Sequence, residues 1–345
     1  MDRLAVIGAG SWGTAFAGLC ASGVSEVALW CHSEATAAEI GAAHTNERYL
    51  PGYELPPQVV ATSSMAEALG RAEACVLALP STHLRATCAE LAPHVASDLP
   101  VVVLTKGVEP ASGLLMTEVA ASELGGPERF CALSGPNHAE EVCRALPSAA
   151  VLASENLALA ERLRPAVSTP AFRVYVSGDL RGVEVCGAYK NVIAVACGIC
   201  VGYGGGDNTL ALIMTRGVAE MGRLVSAYGG DPMTCMGLAG MGDLVATCTS
   251  EHSRNRRFGE AFAAGTTLGE FERASHMVVE GAHAVVSIRE LGRRLGVETP
   301  IADAVWQVVH GGVSADSVAG LLMGRMPTEE FYGMGGRKRP ARHSS

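Results

Sequence analysis

A glycine-rich stretch near the N-terminus, G-A-G-S-W-G at residues 8–13, constrains the fold of this chain more than any other feature. It follows the apolar run of residues 4–7 and precedes a segment with the composition of a helix. Gly8 permits a tight turn, Gly10 leaves room for a pyrophosphate, and Gly13 allows helix and strand to pack closely. The helix start then offers free N–H groups to phosphates. The stretch therefore predicts a dinucleotide site, although an ordinary turn between strand and helix remains the alternative.

Composition and charge limit the classes of function that are open to the chain. The length of 345 residues favours two domains, and 48% of the residues are apolar, which is enough for sizeable cores. The formal net charge is −9, from 26 Lys and Arg against 35 Asp and Glu. This balance argues against a nucleic-acid or membrane-surface binder and leaves a small-molecule partner as the expectation.

The cysteines and the apolar runs indicate a cytoplasmic protein. Eleven cysteines lie in the chain without a secretory signal, as is typical of buried thiols in a reducing compartment. Their spacing supports no metal site. The first strand follows residue 3 directly, so no leader peptide is expected. Residues 192–201 form a run too short to span a bilayer, and we expect a buried helix and no membrane insertion.

Apolar runs and helix-compatible segments alternate over the first half of the chain. Such near-continuous apolar strands are typical of a mostly parallel sheet that is covered on both faces. A helix followed by a proline-rich connection is predicted within residues 34–60. Strands are predicted at residues 4–7, 26–30, 75–79, 101–104, 130–133, 148–153 and 172–176.

The character of the sequence changes near residue 178, after which helical spacing dominates up to about residue 322. The sequence therefore predicts an α/β Rossmann-type domain over residues 1–178 and an all-α domain over residues 179–332. The glycine-rich, basic tail at residues 333–345 lacks apolar periodicity and is expected to be disordered.

Several polar residues follow predicted strands, where ligands of an open parallel sheet bind. Lys106 comes after four apolar residues, where a cation needs a partner, so an anionic ligand is favoured over a lysine at the sheet edge. His138 lies in the strand-to-helix turn of residues 134–139 and is a candidate general base, although a structural histidine is the commoner case. His32 lies where an acidic residue would select NAD, so NADP is expected to be tolerated, with an ordinary exposed loop histidine as the alternative.

A lysine and a carboxylate in the helical half suggest acid–base chemistry. Lys190 lies in the apolar helix of residues 187–196, where burial lowers the pKa of a lysine towards neutrality. Such a lysine can exchange a proton near pH 7, unless it lies at the helix surface with only its stem packed. Asp243, within the glycine-rich residues 237–244, is expected to orient Lys190 or to accept a substrate hydroxyl.

The segment S-R-N-R-R-F-G at residues 253–259 concentrates three arginines in an acidic protein. Guanidinium groups match phosphate oxygens, so the segment predicts an anion clamp, with a solvated basic turn as the alternative. The apolar residues 277–279, followed by Glu280, have no role that the sequence alone assigns.

Together these motifs resemble those of bacterial NAD(P)-dependent glycerol-3-phosphate dehydrogenases, from about residue 4 to residue 325. The resemblance also draws on T-R-G-x-A-E-M at residues 215–221 and V-V-E-G at residues 278–281. It implies a Rossmann domain, a helical domain of the 6-phosphogluconate dehydrogenase type and an active site in the cleft. It implies reduction of dihydroxyacetone phosphate to sn-glycerol 3-phosphate with NADH or NADPH, serving glycerophospholipid synthesis in the cytoplasm, and a homodimer.

The resemblance also implies roles for individual residues. Lys190 is the proton donor and acceptor. The substrate-contacting positions are Lys106, Gly135, Asn137, Lys190, Asp243, Ser253, Arg254 and Asn255. The cofactor-contacting positions, which include the three glycines of the turn, are Gly8, Gly10, Ser11, Trp12, Gly13, His32, Lys106, Ala139, Arg254, Val278 and Glu280. Asn137 departs from the family, which often has Ser or Thr there.

Two other functions remain open at this stage. A related two-domain hydroxyacid dehydrogenase would not require the arginine-rich segment. A non-catalytic nucleotide-sensing module would not need Lys190 and Asp243, and both are present.

Overall fold

The strands of the first half of the chain coincide largely with its apolar runs. The computed structural model describes residues 1–275, 278–324, 330 and 332–333. The strands are β1 (Arg3–Ile7), β2 (Glu26–Trp30), β3 (Thr45–Asn46), β4 (Leu50–Glu54), β5 (Val59–Thr62), β6 (Ala74–Leu77), β7 (Val101–Val103), β8 (Phe130–Ser134), β9 (Ser148–Ala153) and β10 (Phe172–Ser177).

Eight of these strands form one sheet in the order β10-β9-β8-β7-β6-β1-β2-β5. All neighbouring strands are parallel except β8 and β9, so the prediction of a mostly parallel sheet is confirmed. Strand β5, a short and partly exposed edge strand, was not predicted from the sequence. The predicted proline-rich connection contains β4, which pairs with β3 in a small antiparallel hairpin.

Helices cover both faces of the sheet because successive side chains of each strand point to opposite sides. Leu4 and Val6 of β1 pack in one core with Phe16, whereas Ala5 and Ile7 pack in another with Leu84. The helices of this half are α1 (Ser11–Cys20), α2 (Glu34–Ala43), α3 (Met65–Leu69), α4 (Ser81–Leu91), α5 (Met116–Leu124), α6 (Ala139–Val142) and α7 (Leu157–Val167).

The second half of the chain is helical and is built around one long helix. Its helices are α8 (Leu180–Gly202), α9 (Asp207–Ala227), α10 (Asp243–Thr249), α11 (Arg254–Ala263), α12 (Leu268–Ser275), α13 (Glu280–Leu295), α14 (Pro300–Val309) and α15 (Ala315–Met323). Helix α8 is apolar on all sides and buried over most of its length, as expected of a central core helix.

Within the described residues, α8 is the one helix long and apolar enough to cross a membrane, and 72% of its most apolar window is buried inside the protein. The apolar run of residues 192–201 lies in it, so the predicted buried helix is confirmed. The tail predicted to be disordered, residues 333–345, lies outside the described residues apart from Gly333.

Close packing brings the middle of α11 and the start of α13 against α8. A Cβ atom on Gly259 of α11 would lie 2.5 Å from the carbonyl oxygen of Val195. A Cβ atom on Gly281 of α13 would lie 2.2 Å from the carbonyl oxygen of Asn191. Glycine is therefore needed at both contacts, and the polar residues at the starts of α11 and α13 meet the middle of α8.

Candidate active site

Two lysines share one buried carboxylate between the sheet and the helical half. The ammonium nitrogen of Lys190 donates to Oδ1 of Asp243 at 2.5 Å and to Oγ1 of Thr247 at 2.8 Å. The ammonium nitrogen of Lys106 donates to Oδ2 of the same carboxylate at 2.7 Å. All of these residues except Lys106 are almost fully buried, and 14% of the Lys106 side chain is exposed. The expected pairing of Asp243 with Lys190 is therefore present.

The lysine–aspartate cluster (Lys106, Lys190, Asp243 and Thr247) combines residues from the end of a strand and from two helices. Lys106 follows β7 at the carboxyl edge of the sheet, and Lys190 lies in the middle of α8. Asp243 is the first residue of α10, which a tight π-helical turn precedes. Thr247 lies one turn further along α10, on the same face as Asp243. This spacing of four residues is the signal by which the sequence could have identified Thr247.

Burial and charge set the protonation of the cluster. Burial lowers the pKa of Lys190 to about 8, although the Asp243 carboxylate raises it and the charge of Lys106 lowers it further. Burial by itself would raise the pKa of Asp243, but the ammonium groups of Lys106 and Lys190 hold it below its ordinary value. The cluster thus contains a lysine that can gain or lose a proton close to neutral pH.

His138 lies beside this cluster at the residue that precedes α6. Its Nε2 atom is 3.4 Å from the carbonyl oxygen of Ala246, which follows Asp243 in α10. Burial lowers the pKa of His138, and the charge of Lys190 lowers it further, so the neutral ring is favoured. The contact with a backbone carbonyl agrees with the structural alternative for this histidine, and its candidacy as a general base stays a prediction.

A series of hydrogen bonds connects Asn191, the residue after Lys190, to the starts of α11 and α13. Asn191 donates from Nδ2 to Oε2 of Glu280 at 3.1 Å and accepts from Nδ2 of Asn255 at 2.9 Å. Oδ1 of Asn255 accepts from the backbone N–H of Gly281 at 2.8 Å. Asn191 had no role predicted from the sequence. An asparagine next to the candidate catalytic lysine inside an apolar helix was the available signal.

The start of α11 brings Ser253 and Arg254 to this region, but Arg254 and Arg256 have different partners. Ser253 caps the helix by accepting from the N–H of Arg256 at 3.3 Å, and the exposed guanidinium of Arg254 donates to the carbonyl oxygen of Val278 at 3.4 Å. Arg256 instead pairs with Glu260 at 2.8 Å and also binds the Thr249 carbonyl. The Arg256 guanidinium therefore has partners within the protein, and the anion clamp of three arginines stays a prediction.

Two buried polar atoms near the carboxyl end of β8 have no hydrogen-bond partner among the residues that the structure describes. They are Oγ of Ser134 and Nδ2 of Asn137, on either side of Gly135. A Cβ atom on Gly187 of α8 would lie 3.1 Å from Oγ of Ser134 and 3.5 Å from Cδ of Lys106, so Ser134 lies beside the stem of Lys106. Buried donors and acceptors are normally satisfied, and a polar ligand beside Lys106 would satisfy them.

The glycine turn has the geometry that a dinucleotide needs. Gly8 has a φ of +113°, and a Cβ atom on Gly13 would lie 1.9 Å from the Gly8 carbonyl oxygen. By contrast, a Cβ atom on Gly10 would meet no other atom within 4 Å, so this side of the turn is open. The predicted roles of Gly8 and Gly13 in tight packing and of Gly10 in close approach fit these observations.

The other candidate cofactor residues differ in their burial and in their partners. Ser11 donates from Oγ to the carbonyl oxygen of Tyr49 at 2.6 Å, and the buried Nε1 atom of Trp12 has no partner in the described part of the chain. His32 is exposed after β2, Ala139 begins α6, and Glu280 begins α13. Val278 is 39% exposed. Among the described residues, no three His, Cys, Asp or Glu side chains are placed to hold a metal ion.

Comparisons with known proteins cover nearly the whole chain. A family model described as the N-terminus of NAD-dependent glycerol-3-phosphate dehydrogenase matches residues 3–160, and the corresponding C-terminus matches residues 179–319. The glycerol-3-phosphate dehydrogenase (NAD(P)+) of Corynebacterium diphtheriae is 44% identical over 95% of this chain and 100% of that protein. The enzyme of the same name from Streptomyces griseus is 45% identical over 95% and 98%.

A solved structure shares the fold as well. The crystal structure of glycerol-3-phosphate dehydrogenase from Coxiella burnetii superimposes with a TM-score of 0.89 at 36% identity. The match covers 94% of this chain and 99% of that one. The Rossmann-type and helical parts seen here are therefore shared over nearly all of this chain.

Proposed function

This chain belongs to the NAD-dependent glycerol-3-phosphate dehydrogenase family, and we propose that it reduces dihydroxyacetone phosphate with Lys190 as the proton donor. It is an NAD(P)-dependent oxidoreductase. The observation that carries the residue assignment is the buried ammonium group of Lys190, held by Asp243 and Thr247 at the junction of sheet and helices. The reaction would yield sn-glycerol 3-phosphate, for use in glycerophospholipid synthesis.

The proton chemistry follows from the charges of the lysine–aspartate cluster. Protonated Lys190 donates a proton to the ketone oxygen as that oxygen gains negative charge, and Lys106 adds a second positive charge nearby. Asp243 orients both ammonium groups and keeps Lys190 protonated in a buried site. In the reverse direction neutral Lys190 accepts the proton of the substrate hydroxyl.

The cofactor is held by residues of both halves of the chain. NADH or NADPH, when bound, supplies the hydride. The open side of Gly10 and the free N–H groups at the start of α1, from Ser11 and Trp12, would bind the pyrophosphate. We assign the remaining cofactor contacts to the other candidate residues, namely Gly8, Gly13, His32, Lys106, Ala139, Arg254, Val278 and Glu280.

The phosphate group of the substrate is assigned to the start of α11. Its first backbone N–H groups, at Arg254 and Asn255, have no carbonyl partner within the helix, and the Arg254 guanidinium is exposed beside them. The Asn255 side chain is engaged by Asn191 and Gly281, which supports a role in holding this helix start in place. Ser253 caps the helix, and Lys106, Gly135 and Asn137 would contact the rest of the substrate.

A direct assay tests the proposed reaction. Purified protein is mixed with NADH or NADPH in parallel, and dihydroxyacetone phosphate is added last while reduced-nicotinamide absorbance is followed. Rapid oxidation that unphosphorylated dihydroxyacetone fails to produce is the expected result. Absence of oxidation from protein that still binds cofactor would contradict the proposed substrate.

Use of both cofactors is proposed from the exposed position of His32. It follows β2 without a neighbouring carboxylate in the same turn to repel the 2′-phosphate of NADPH, since Glu34 already lies in α2. Comparable kcat/KM values for NADH and NADPH would support this proposal. A strong preference for NADH would contradict it.

We also propose that the protein forms a homodimer through its helical half. Its proposed location is the cytoplasm. Tyr203 and Leu212, around the junction of α8 and α9, are 54% and 44% exposed, which supports an apolar contact surface there. All eleven cysteines are free thiols, as a reducing compartment would keep them. We also propose residues 1–178 and 179–332 as the two domains. Light scattering after gel filtration tests the dimer, because a mass near the 35.6 kDa of one chain would contradict it.

A further inference from the structure

We propose that Asn46 is a positioning residue for the cofactor, because its side chain holds the peptide between Ala9 and Gly10 in the orientation that binds phosphate. Asn46 lies in the β3–β4 hairpin, outside the glycine turn, and is 1% exposed. The inference rests on the proposed placement of the dinucleotide at residues 8–13. It adds a residue that touches neither substrate nor cofactor.

The contacts of Asn46 point to the turn. Its Nδ2 atom donates to the carbonyl oxygen of Ala9 at 2.9 Å and to Oγ1 of Thr14 at 2.8 Å. An amide nitrogen carries two hydrogens, so both are used. One bond reaches the middle of the glycine turn and the other reaches the first turn of α1. Asn46 therefore clamps the turn to the helix that follows it.

Because the peptide bond is planar, the hydrogen bond to the Ala9 carbonyl also fixes the direction of the Gly10 N–H. In a trans peptide the C=O and the following N–H point in opposite directions. With the Ala9 carbonyl held by Asn46, the N–H of Gly10 must face away from the hairpin. That N–H belongs to the start of α1, where no carbonyl of the helix can accept it. The space beside Gly10 is open, so the N–H is available to a phosphate oxygen there.

Loss of the clamp would let this peptide rotate. A rotated peptide would present the Ala9 carbonyl oxygen, instead of the Gly10 N–H, to the phosphates, and two groups of negative charge would then face each other. Glycine at position 10 lowers the barrier to such a rotation because its backbone is permissive. A rigid partner outside the turn is therefore needed to keep one orientation.

The hairpin that carries Asn46 is itself fixed on both sides. The Tyr49 carbonyl oxygen accepts from Oγ of Ser11 at 2.6 Å. Leu50 is buried against Ala15 of α1 and Ala139 of α6. The hairpin thus joins the starts of α1 and α6, and Asn46 is the residue by which it reaches the backbone of the turn.

Asn46→Ala, measured by NADH fluorescence titration and steady-state kinetics, tests the inference. We expect the Kd and KM for NADH to rise about tenfold, equivalent to the loss of one or two hydrogen bonds. The kcat at saturating NADH and the KM for dihydroxyacetone phosphate should stay within about twofold, because the cluster around Lys190 is untouched. Asn46→Asp should weaken binding further, since a carboxylate cannot donate to Ala9.

Two control variants separate the possible outcomes. Glu47→Ala removes a carboxylate that accepts from Gly52 within the hairpin loop and should leave the Kd for NADH unchanged. An equal loss of affinity in Glu47→Ala would overturn the inference. Gly10→Val fills the open side of the turn and should abolish NADH binding. Wild-type affinity in Asn46→Ala beside loss in Gly10→Val refutes the role of Asn46 alone, whereas wild-type affinity in both refutes the cofactor placement.

A further variant decides the question if Asn46→Ala does not fold. Thr14→Val keeps the shape of the side chain and removes the Oγ1 atom that Asn46 binds. A rise of about threefold in the Kd for NADH, with a melting temperature close to that of the wild type, would support the clamp. An unchanged Kd in this variant would overturn it.

Discussion

Oδ1 of Asp243 lies 2.5 Å from the ammonium nitrogen of Lys190, although 53 residues separate them in the sequence. The other oxygen of the same carboxylate binds Lys106, which is 137 residues away. With both lysines protonated, one carboxylate serves two ammonium groups and the buried cluster carries a surplus positive charge. Such a surplus suits a site that stabilises an oxygen gaining negative charge during reduction.

Removal of the Lys190 side chain should abolish most of the turnover without affecting the fold. We expect Lys190→Ala to lower kcat by about a hundred- to ten-thousand-fold, the usual contribution of a positioned proton donor. Asp243 keeps its bond to Lys106, so no buried charge is left unpaired. Steady-state kinetics measure the loss, while NADH titration and thermal melting should stay close to the wild type. Activity within a few-fold of the wild type would contradict the assignment.

The pH dependence of the two reaction directions should be opposite. Because the pKa of Lys190 is about 8, the protonated form needed for reduction is lost as the pH rises above this value. The kcat for dihydroxyacetone phosphate reduction should therefore fall above pH 8. Oxidation of glycerol 3-phosphate needs the neutral lysine and should rise over the same range. Parallel profiles in both directions would exclude Lys190 as the titrating group.

Neutralising Asp243 should move these profiles as well as slow the reaction. Asp243→Asn removes the negative charge that raises the pKa of Lys190, while burial and the charge of Lys106 still lower it. The pH above which reduction declines should therefore shift downward, with kcat reduced about a hundred-fold or more. Rate measurements from pH 5 to 9 would reveal the shift. A slower enzyme with an unchanged profile would show that Asp243 acts only on geometry.

The arginines of α11 should differ in their effect on the substrate. Arg254→Ala removes the exposed guanidinium beside the helix start and should raise the KM for dihydroxyacetone phosphate about ten- to a hundred-fold, because a charge-assisted bond to phosphate is lost. Arg257→Ala is the matched control, since Arg257 is also exposed in the same helix but is not assigned to the site. Equal effects of the two variants would indicate only a loss of general positive charge.

Substitution by alanine should change the stability of the protein in opposite directions at two glycines that lie in helices. In Gly13→Ala the new Cβ would lie 1.9 Å from the Gly8 carbonyl oxygen, so we expect destabilisation of about 1–3 kcal/mol or more. In Gly41→Ala, within α2, the Cβ meets nothing within 4 Å, and the helix should gain about 0.5–1 kcal/mol. Denaturant unfolding measures both changes. A neutral Gly13→Ala would argue against tight packing of α1 on β1.

The local elements of this fold were predictable because their signals lie close together in the chain. The strand, glycine turn and helix at the N-terminus are confirmed, as is the buried helix around residues 192–201. The edge strand β5 and the β3–β4 hairpin were not predicted. Both are short, and the prolines next to them indicate loops more strongly than their few apolar residues indicate strands.

Contacts between residues far apart in the chain were less predictable from the sequence. The spacing of the arginine-rich segment predicted one anion clamp, but Arg256 turns to Glu260 one helical turn away. Nothing in the composition of the hairpin indicated that Asn46 would bind Ala9, 37 residues earlier. Such pairings depend on how whole elements pack, and identical local sequences can pack in different ways.

The sequence by itself determined the family, the α/β and all-α halves of the fold, and the residue types available for hydride and proton transfer. Its motifs are contiguous, so neighbouring side chains and glycine sterics suffice to interpret them. The tertiary structure alone decided that one carboxylate binds both Lys190 and Lys106, that Arg256 pairs with Glu260, and that a hairpin residue binds the glycine turn. The physical reason is that burial and partner distance, which set pKa values and hydrogen bonds, arise only when elements far apart in the chain pack together.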